Sequence, residues 1–122
     1  LGIAAGPPGA ATLGGTSKSG MIVGTADLAS DPDYTAQVVA HEAAHFLGLF
    51  HTSERDGAVS DPLSDTAECG SSNDANSDGV VAPSECGGSG AENLMFWAPT
   101  AGTSSALTSD QSWVLRRNPA VQ

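Results

Sequence analysis

Positive charge is scarce in this chain: four Lys and Arg stand against 14 Asp and Glu in 122 residues, for a formal net charge of −10. Nucleic acids and anionic bilayers are gripped by basic patches, so this balance argues against both as partners. No apolar run approaches the roughly 20 residues that span a bilayer, and no signal peptide is visible. Aromatics make up only 5%, and a chain of this length holds at most one domain with a modest core. Glycine and proline are abundant instead, at 15 and 7 residues, which points to much loop and to stabilisation from elsewhere. Metals and a disulfide would supply it.

There are two cysteines, Cys69 and Cys86. They bracket a polar segment with little apolar content of its own, and closing such a loop removes freedom from the unfolded chain, so a disulfide is the preferred reading. Free thiols or a cysteine ligand are the alternatives, although neither residue has a C-x-x-C partner. A disulfide implies an oxidising compartment outside the cytosol. The chain opens at Leu1 without an initiator methionine, and the expectation is a secreted or extracellular product, mature or trimmed, whose export signal lies outside these residues.

All three histidines fall in one stretch, H-E-A-A-H-F-L-G-L-F-H, from His41 to His51. On a helix of about 3.6 residues per turn, His41 and His45 project from one face and can grip one metal ion. Glu42 sits beside the first ligand, within reach of a metal-bound water without filling the coordination shell. The chain must then swing round to return His51, and Gly48 permits that turn because glycine takes the left-handed conformation that ends helices. Three protein nitrogens leave a fourth position open, which separates a catalytic zinc site from a closed structural one. The bland reading, helix histidines without a metal, suits a bare H-E-x-x-H better than this longer pattern.

The pattern resembles the zinc signature H-E-x-x-H-x-x-G-x-x-H of the metzincin metalloendopeptidases, matched at His41, Glu42, His45, Gly48 and His51. The resemblance implies a downstream methionine turn beneath the metal, for which Met95 in Asn93-Leu94-Met95-Phe96-Trp97 is the candidate; an apolar run of this kind also reads as core. Several metzincin groups place a tyrosine two residues after that methionine. Here the position is Trp97, whose indole only donates, and the sole tyrosine, Tyr34, is a poor substitute. Within the family the chain looks most like the pappalysin-like group, on Leu1-Gly2-Ile3-Ala4, Ser19-Gly20-Met21-Ile22-Val23, the histidine signature, and residues 61–66 ahead of a cysteine-bounded loop.

Between the cysteines, Asp74 to Glu85 matches the twelve-residue calcium loop D-x-[DN]-x-[DN]-G-x₅-E at every specified position. Asp74, Asn76 and Asp78 would converge on one ion, Gly79 would allow the sharp turn, Val80 would offer its carbonyl and Glu85 both carboxylate oxygens. A solvated acidic loop is the competing reading. No flanking EF-hand helices are expected, so the loop is read as a staple between His51 and the methionine turn and not as a calcium sensor.

The remaining pattern predicts an α+β chain with a short strand at residues 1–5, a Gly/Pro/Ala-rich loop at 6–15 and a buried strand within 19–25. Asp31 caps and Pro32 opens a zinc helix running over 34–47, packed through Val38, Val39, Ala43 and Phe46. Thr108 or Ser109 caps a last helix to Arg117, stopped before Pro119. This order resembles the latter portion of a metzincin catalytic domain. The resemblance implies further strands and a backing helix upstream, so these residues are expected to be a single catalytic domain truncated at its N-terminus. It makes Leu1, Gly2, Ile3, Ala4 and Ala5 the edge strand that pairs with an extended substrate.

The expected activity is hydrolysis of peptide bonds by zinc-activated water, with Glu42 as general base and calcium in a structural role. Partners are then a protein or peptide substrate and, outside these residues, a pro-segment or the missing upstream part of the domain. The rival is a non-catalytic extracellular module stapled by zinc and calcium.

Overall fold

The computed structural model describes residues 2–9, 19–100, 102 and 105–121. Leu1 and most of the expected glycine- and proline-rich loop therefore lie outside the described residues. Two short strands, β1 (Gly2–Ala4) and β2 (Met21–Val23), pair antiparallel with Gly2 opposite Val23 and Ala4 opposite Met21. The pairing extends one step further, where the Ala5 amide donates to the Gly20 carbonyl at 3.1 Å. Helix α1 (Pro32–Phe46) packs against both strands, and helix α2 (Ser109–Arg117) comes near the end of the chain. Two strands and two α-helices among the described residues make this a small α+β arrangement, with a long irregular segment between the helices.

Helix α1 starts where its sequence can satisfy the orphan amides of a first turn. Asp31 accepts from the Tyr34 amide at 2.9 Å, and Pro32 takes the first helical position, where its missing N–H costs nothing. The helix thus begins two residues earlier than the expected 34–47 span, and Leu47 becomes its C-cap. Its buried residues are Thr35, Val38, His41, Glu42 and Ala44, a stripe at helical spacing that places the histidine and glutamate on the inward face. Val39 is displaced from that stripe and stands 39% exposed, contrary to its expected packing role.

The apolar residues form two clusters. One surrounds the bond between Cys69 and Cys86, with Val81, Ala91 and Phe96. The other joins Ala44 and Leu49 at the end of α1 to Leu94 and Met95, with Leu63, Val114 and Leu115 packed against it. The disulfide spans a Cα–Cα distance of 5.6 Å and both cysteines are fully buried. It holds together a segment whose own regular structure is one short 3₁₀ turn, Ser71–Asn73. No described helix is long and apolar enough to cross a membrane.

Helix α2 is capped by Thr108, with a reciprocal capping box to Gln111. Ser109 is its first residue. Asn118 follows it and reaches back across the fold, its side-chain amide donating to the Leu47 carbonyl at 2.9 Å. That bond satisfies a carbonyl at the end of α1, which would otherwise lack an intrahelical partner.

Candidate metal centre

The turn that brings the third histidine back is built on Gly48, at φ +115°. Its amide donates to the His45 carbonyl at 2.9 Å, and the Leu49 amide donates to the Ala44 carbonyl at 3.0 Å. These two bonds are the Schellman arrangement, in which a left-handed residue lets the next amide reach back into the helix. Leu49 is then buried in the core and His51 arrives beside α1. The ligand atoms of His41, His45 and His51 lie within 4.8 Å of one another, and they are the group of three such side chains found among the described residues.

Each imidazole is held through its Nδ1. His41 donates to the Leu94 carbonyl at 2.7 Å, His45 to the Leu49 carbonyl at 2.7 Å, and His51 to Glu54 Oε1 at 3.1 Å. With the proton on Nδ1, every Nε2 presents a lone pair, the tautomer that a metal requires. The Nε2 atoms of His41 and His51 stand 3.2 Å apart. Two acceptors so close repel unless a cation sits against both. Tetrahedral zinc with Zn–N bonds of about 2.0–2.1 Å places its ligand nitrogens roughly 3.3 Å apart, so this spacing suits it.

A shared proton is a poor substitute for that cation. Burial, together with the neighbouring His45 and His51, holds the His41 pKa down to about 4, the bond to Leu94 acting the other way. Burial lowers His45 as well. The residues therefore fit a divalent ion with nitrogen preference.

Glu42 is 7% exposed and lines the same cavity as the three histidines. Burial raises its pKa; the facing His51 and a hydrogen bond from the Ala4 backbone oppose that rise. Gly2 crosses directly over this side chain: a Cβ there would collide with Glu42 Cγ and come within 2.8 Å of its Oε1. Strand β1 thus both hydrogen-bonds and covers the carboxylate. Gly2, Ile3 and Ala4 all line the cavity, and β1 has a strand neighbour on one side only within its two-stranded sheet. The Ala5 amide faces β2 and continues that pairing through Gly20, as alternate residues of a strand do.

Met95 is fully buried beside Leu94, Leu49 and Ala44. The turn around it closes with the Phe96 amide on the Asn93 carbonyl at 3.1 Å, and the Met95 amide donates to Asn93 Oδ1 at 2.8 Å. Its carbonyls face the centre's supports, since Leu94 holds His41 and Met95 accepts from the Thr52 amide at 2.9 Å. The indole N–H of Trp97 is committed to the Val81 carbonyl at 2.9 Å, and the residue lines the cavity with an apolar ring.

The Asp74–Glu85 loop adopts the turn its sequence implies. Gly79 sits at φ +80°, and Asp74 accepts from the amides of Asp78 and Gly79 at 3.2 and 2.9 Å. Asn76 Oδ1 accepts from the Asp78 amide at 2.9 Å, and Asp78 Oδ1 from the Val80 amide at 2.9 Å. Glu85 closes the loop with its two oxygens on the amides of Ala75 and Ala82, at 3.0 and 2.9 Å. Among the described residues the carboxylates of Asp74, Asp78 and Glu85 do not form a convergent group of the kind the three histidines form.

Several contributors escaped the sequence reading. Tyr34 and Val38 line the cavity with His41 and His45, and their 4-3-4 spacing along α1 is the signal that would have found them. Glu54 lies three residues beyond His51, a spacing with no motif to mark it. The buried amides of Asn93 and Gln111 had no local signal either. No family model matches the chain, and neither does any curated protein or solved structure.

Proposed function

We propose that this chain is a zinc-dependent endopeptidase of the metzincin type, nearest to the pappalysin-like group. The observation that carries the reading is the set of three Nδ1-anchored imidazoles with convergent Nε2 atoms, sharing one cavity with a buried glutamate. His41, His45 and His51 would hold the zinc. Bound there, zinc would supply Lewis acidity, acidifying water and polarising a peptide carbonyl.

The protein's own residues do the rest. Glu42 accepts the proton of the attacking water on its carboxylate and delivers it to the departing amine. Strand β1 runs along the wall of the same cavity with β2 on one side and would meet an extended peptide on the other, where Ala4 already bonds Glu42 and the Gly6 amide. The Asp74–Glu85 loop is read as a calcium staple, and the disulfide places the protein in an oxidising compartment, which we take to be extracellular. A module that only used zinc as a staple would have no use for a buried carboxylate beside it.

The test is cleavage of a quenched fluorescent peptide library by the purified chain with zinc and calcium, beside Glu42→Ala. The expected result is loss of activity by about 10²–10⁴-fold with zinc still bound. An active Glu42→Ala protein would sink the assignment.

A further inference from the structure

Helix α2 buries one face and leaves the other bare. Gln111 and the following Asn118 are buried, and Val114 and Leu115 pack against the cluster of Leu49, Leu94 and Met95. The outer face carries Trp113, which stands 55% exposed, with Arg116 and Arg117 three and four residues further on. That spacing sets both guanidinium groups beside the indole. Arg117 lies over the ring, its Cζ 4.6 Å from the centroid, and Arg116 donates its Nε–H to the Ser112 carbonyl at 3.1 Å. Two of the chain's four lysines and arginines thus share one helical turn, in a chain with 14 acidic residues. Neither has a carboxylate partner among the described residues, where the ion pair found joins His51 and Glu54.

We infer that this face of α2 is a docking site for a short acidic segment of a partner protein. Arginines in the last turn of a helix already complement its dipole, but that role needs no exposed tryptophan beside them. The stacked indole holds the Arg117 fork in one orientation, and a fork held in place pairs two carboxylate oxygens with less loss of freedom. Trp113 adds a large apolar surface for a partner side chain to cover, and tryptophan with arginine is the composition that dominates binding at protein interfaces. Charge decides the size of the partner. The chain as a whole carries −10, so a bilayer or a long polyanion, spread over much of the surface, meets net repulsion. A segment of a few residues senses only charges within a Debye length of about 8–10 Å. The one acid of α2, Asp110, lies about 10 Å along the axis from Arg117, so along the helix the two cations dominate at the patch.

The experiment uses the Glu42→Gln protein, so that no peptide is consumed whether or not the peptidase reading holds. N-acetyl-Glu-Glu-Leu-Glu-Glu-amide and its all-glutamine counterpart are titrated at low salt while the indole N–H signals of Trp113 and Trp97, the chain's two tryptophans, are followed by NMR. The glutamate peptide should move the Trp113 signal and bind about tenfold more tightly than the glutamine peptide, the difference shrinking as salt is raised. Arg116→Gln combined with Arg117→Gln should abolish that difference, with the melting temperature reporting that the fold is kept. If the pair of changes unfolds the chain, the two single variants decide in its place, each expected to lose part of the preference. Equal binding of the two peptides, a shift confined to Trp97, or arginine variants that bind as before overturns the docking site. So does binding of phosphatidylserine vesicles or heparin without binding of the glutamate peptide, which would assign the patch to a lipid surface or a polyanion.

Discussion

Asn93 and Gln111 exchange their side-chain amides in the interior: Asn93 Nδ2 donates to Gln111 Oε1 at 2.9 Å, and Gln111 Nε2 donates to Asn93 Oδ1 at 3.1 Å. Gln111 is fully buried, and its Oε1 also accepts the Thr108 amide that opens α2. Asn93 Oδ1 holds the Met95 amide in turn. One amide pair therefore fixes the last helix against the turn whose Leu94 carbonyl orients His41.

Gln111→Leu should cost about 1–3 kcal/mol, because the Asn93 amide is left buried without its partner. Thermal unfolding measures this directly. Zinc affinity should fall in the same variant, since the carbonyl that orients His41 sits on the turn Asn93 shapes. Unchanged affinity would separate the turn from the metal centre.

Glu54→Ala removes the carboxylate that holds His51, and zinc should bind about 10- to 100-fold more weakly. Titration calorimetry against a competing chelator reads the constant. Glu54→Gln should recover part of the loss, because an amide oxygen can still accept from Nδ1.

Gly2→Ala should displace Glu42, because a Cβ at Gly2 falls on that side chain. Peptide cleavage is expected to drop at least about tenfold through misplacement of the proton acceptor, with zinc binding unchanged. A fully active Gly2→Ala protein would mean that β1 does not lie over the carboxylate in solution.

Acid should destabilise the metal-free protein. The folded-state pKa of His41 is lowered from 6.5 to about 4. Above 6.5 neither state binds the proton; as pH falls between 6.5 and about 4 the unfolded chain takes it up and the folded chain does not, so stability is lost across that window. Glu42 acts with the opposite sign. Its folded pKa is raised from 4.5, so its favourable contribution exists below 4.5 and disappears as pH rises through the folded value. Glu42→Gln should therefore raise the melting temperature at pH 7, and His41→Phe should flatten the acid limb of the stability profile.

Calcium should raise the unfolding free energy by about 2.7 kcal/mol when present at a hundred times its dissociation constant, and Asp74→Ala should abolish the effect. The route to the cleft is short. Val81, which directly follows the loop's Val80, donates its amide to the Arg55 carbonyl at 2.9 Å and accepts the Trp97 indole at 2.9 Å. Chelation is thus expected to change Trp97 fluorescence; stability and fluorescence indifferent to calcium would reduce the loop to a solvated turn.

Neighbouring residues dictate local chemistry at fixed spacing. His41 and His45 share a face because they are one helical turn apart, Asp31 and Pro32 start the helix, and Gly48 takes the positive φ that ends it. The Asp74–Glu85 turn is likewise written in consecutive residues. These features depend on neighbours within a few positions, where backbone sterics and short hydrogen bonds decide the outcome.

The distant groups that orient the site are brought to it by packing. Leu94 lies 53 residues from His41, Gln111 18 from Asn93, and Asn118 71 from Leu47. None of these pairings follows from spacing, since each forms only after the two apolar clusters bring the segments together. The burial of Glu42 beneath Gly2 has the same origin, and so does the apolar wall that faces the histidines. A carboxylate's surroundings are set by packing, and packing is a property of the whole fold.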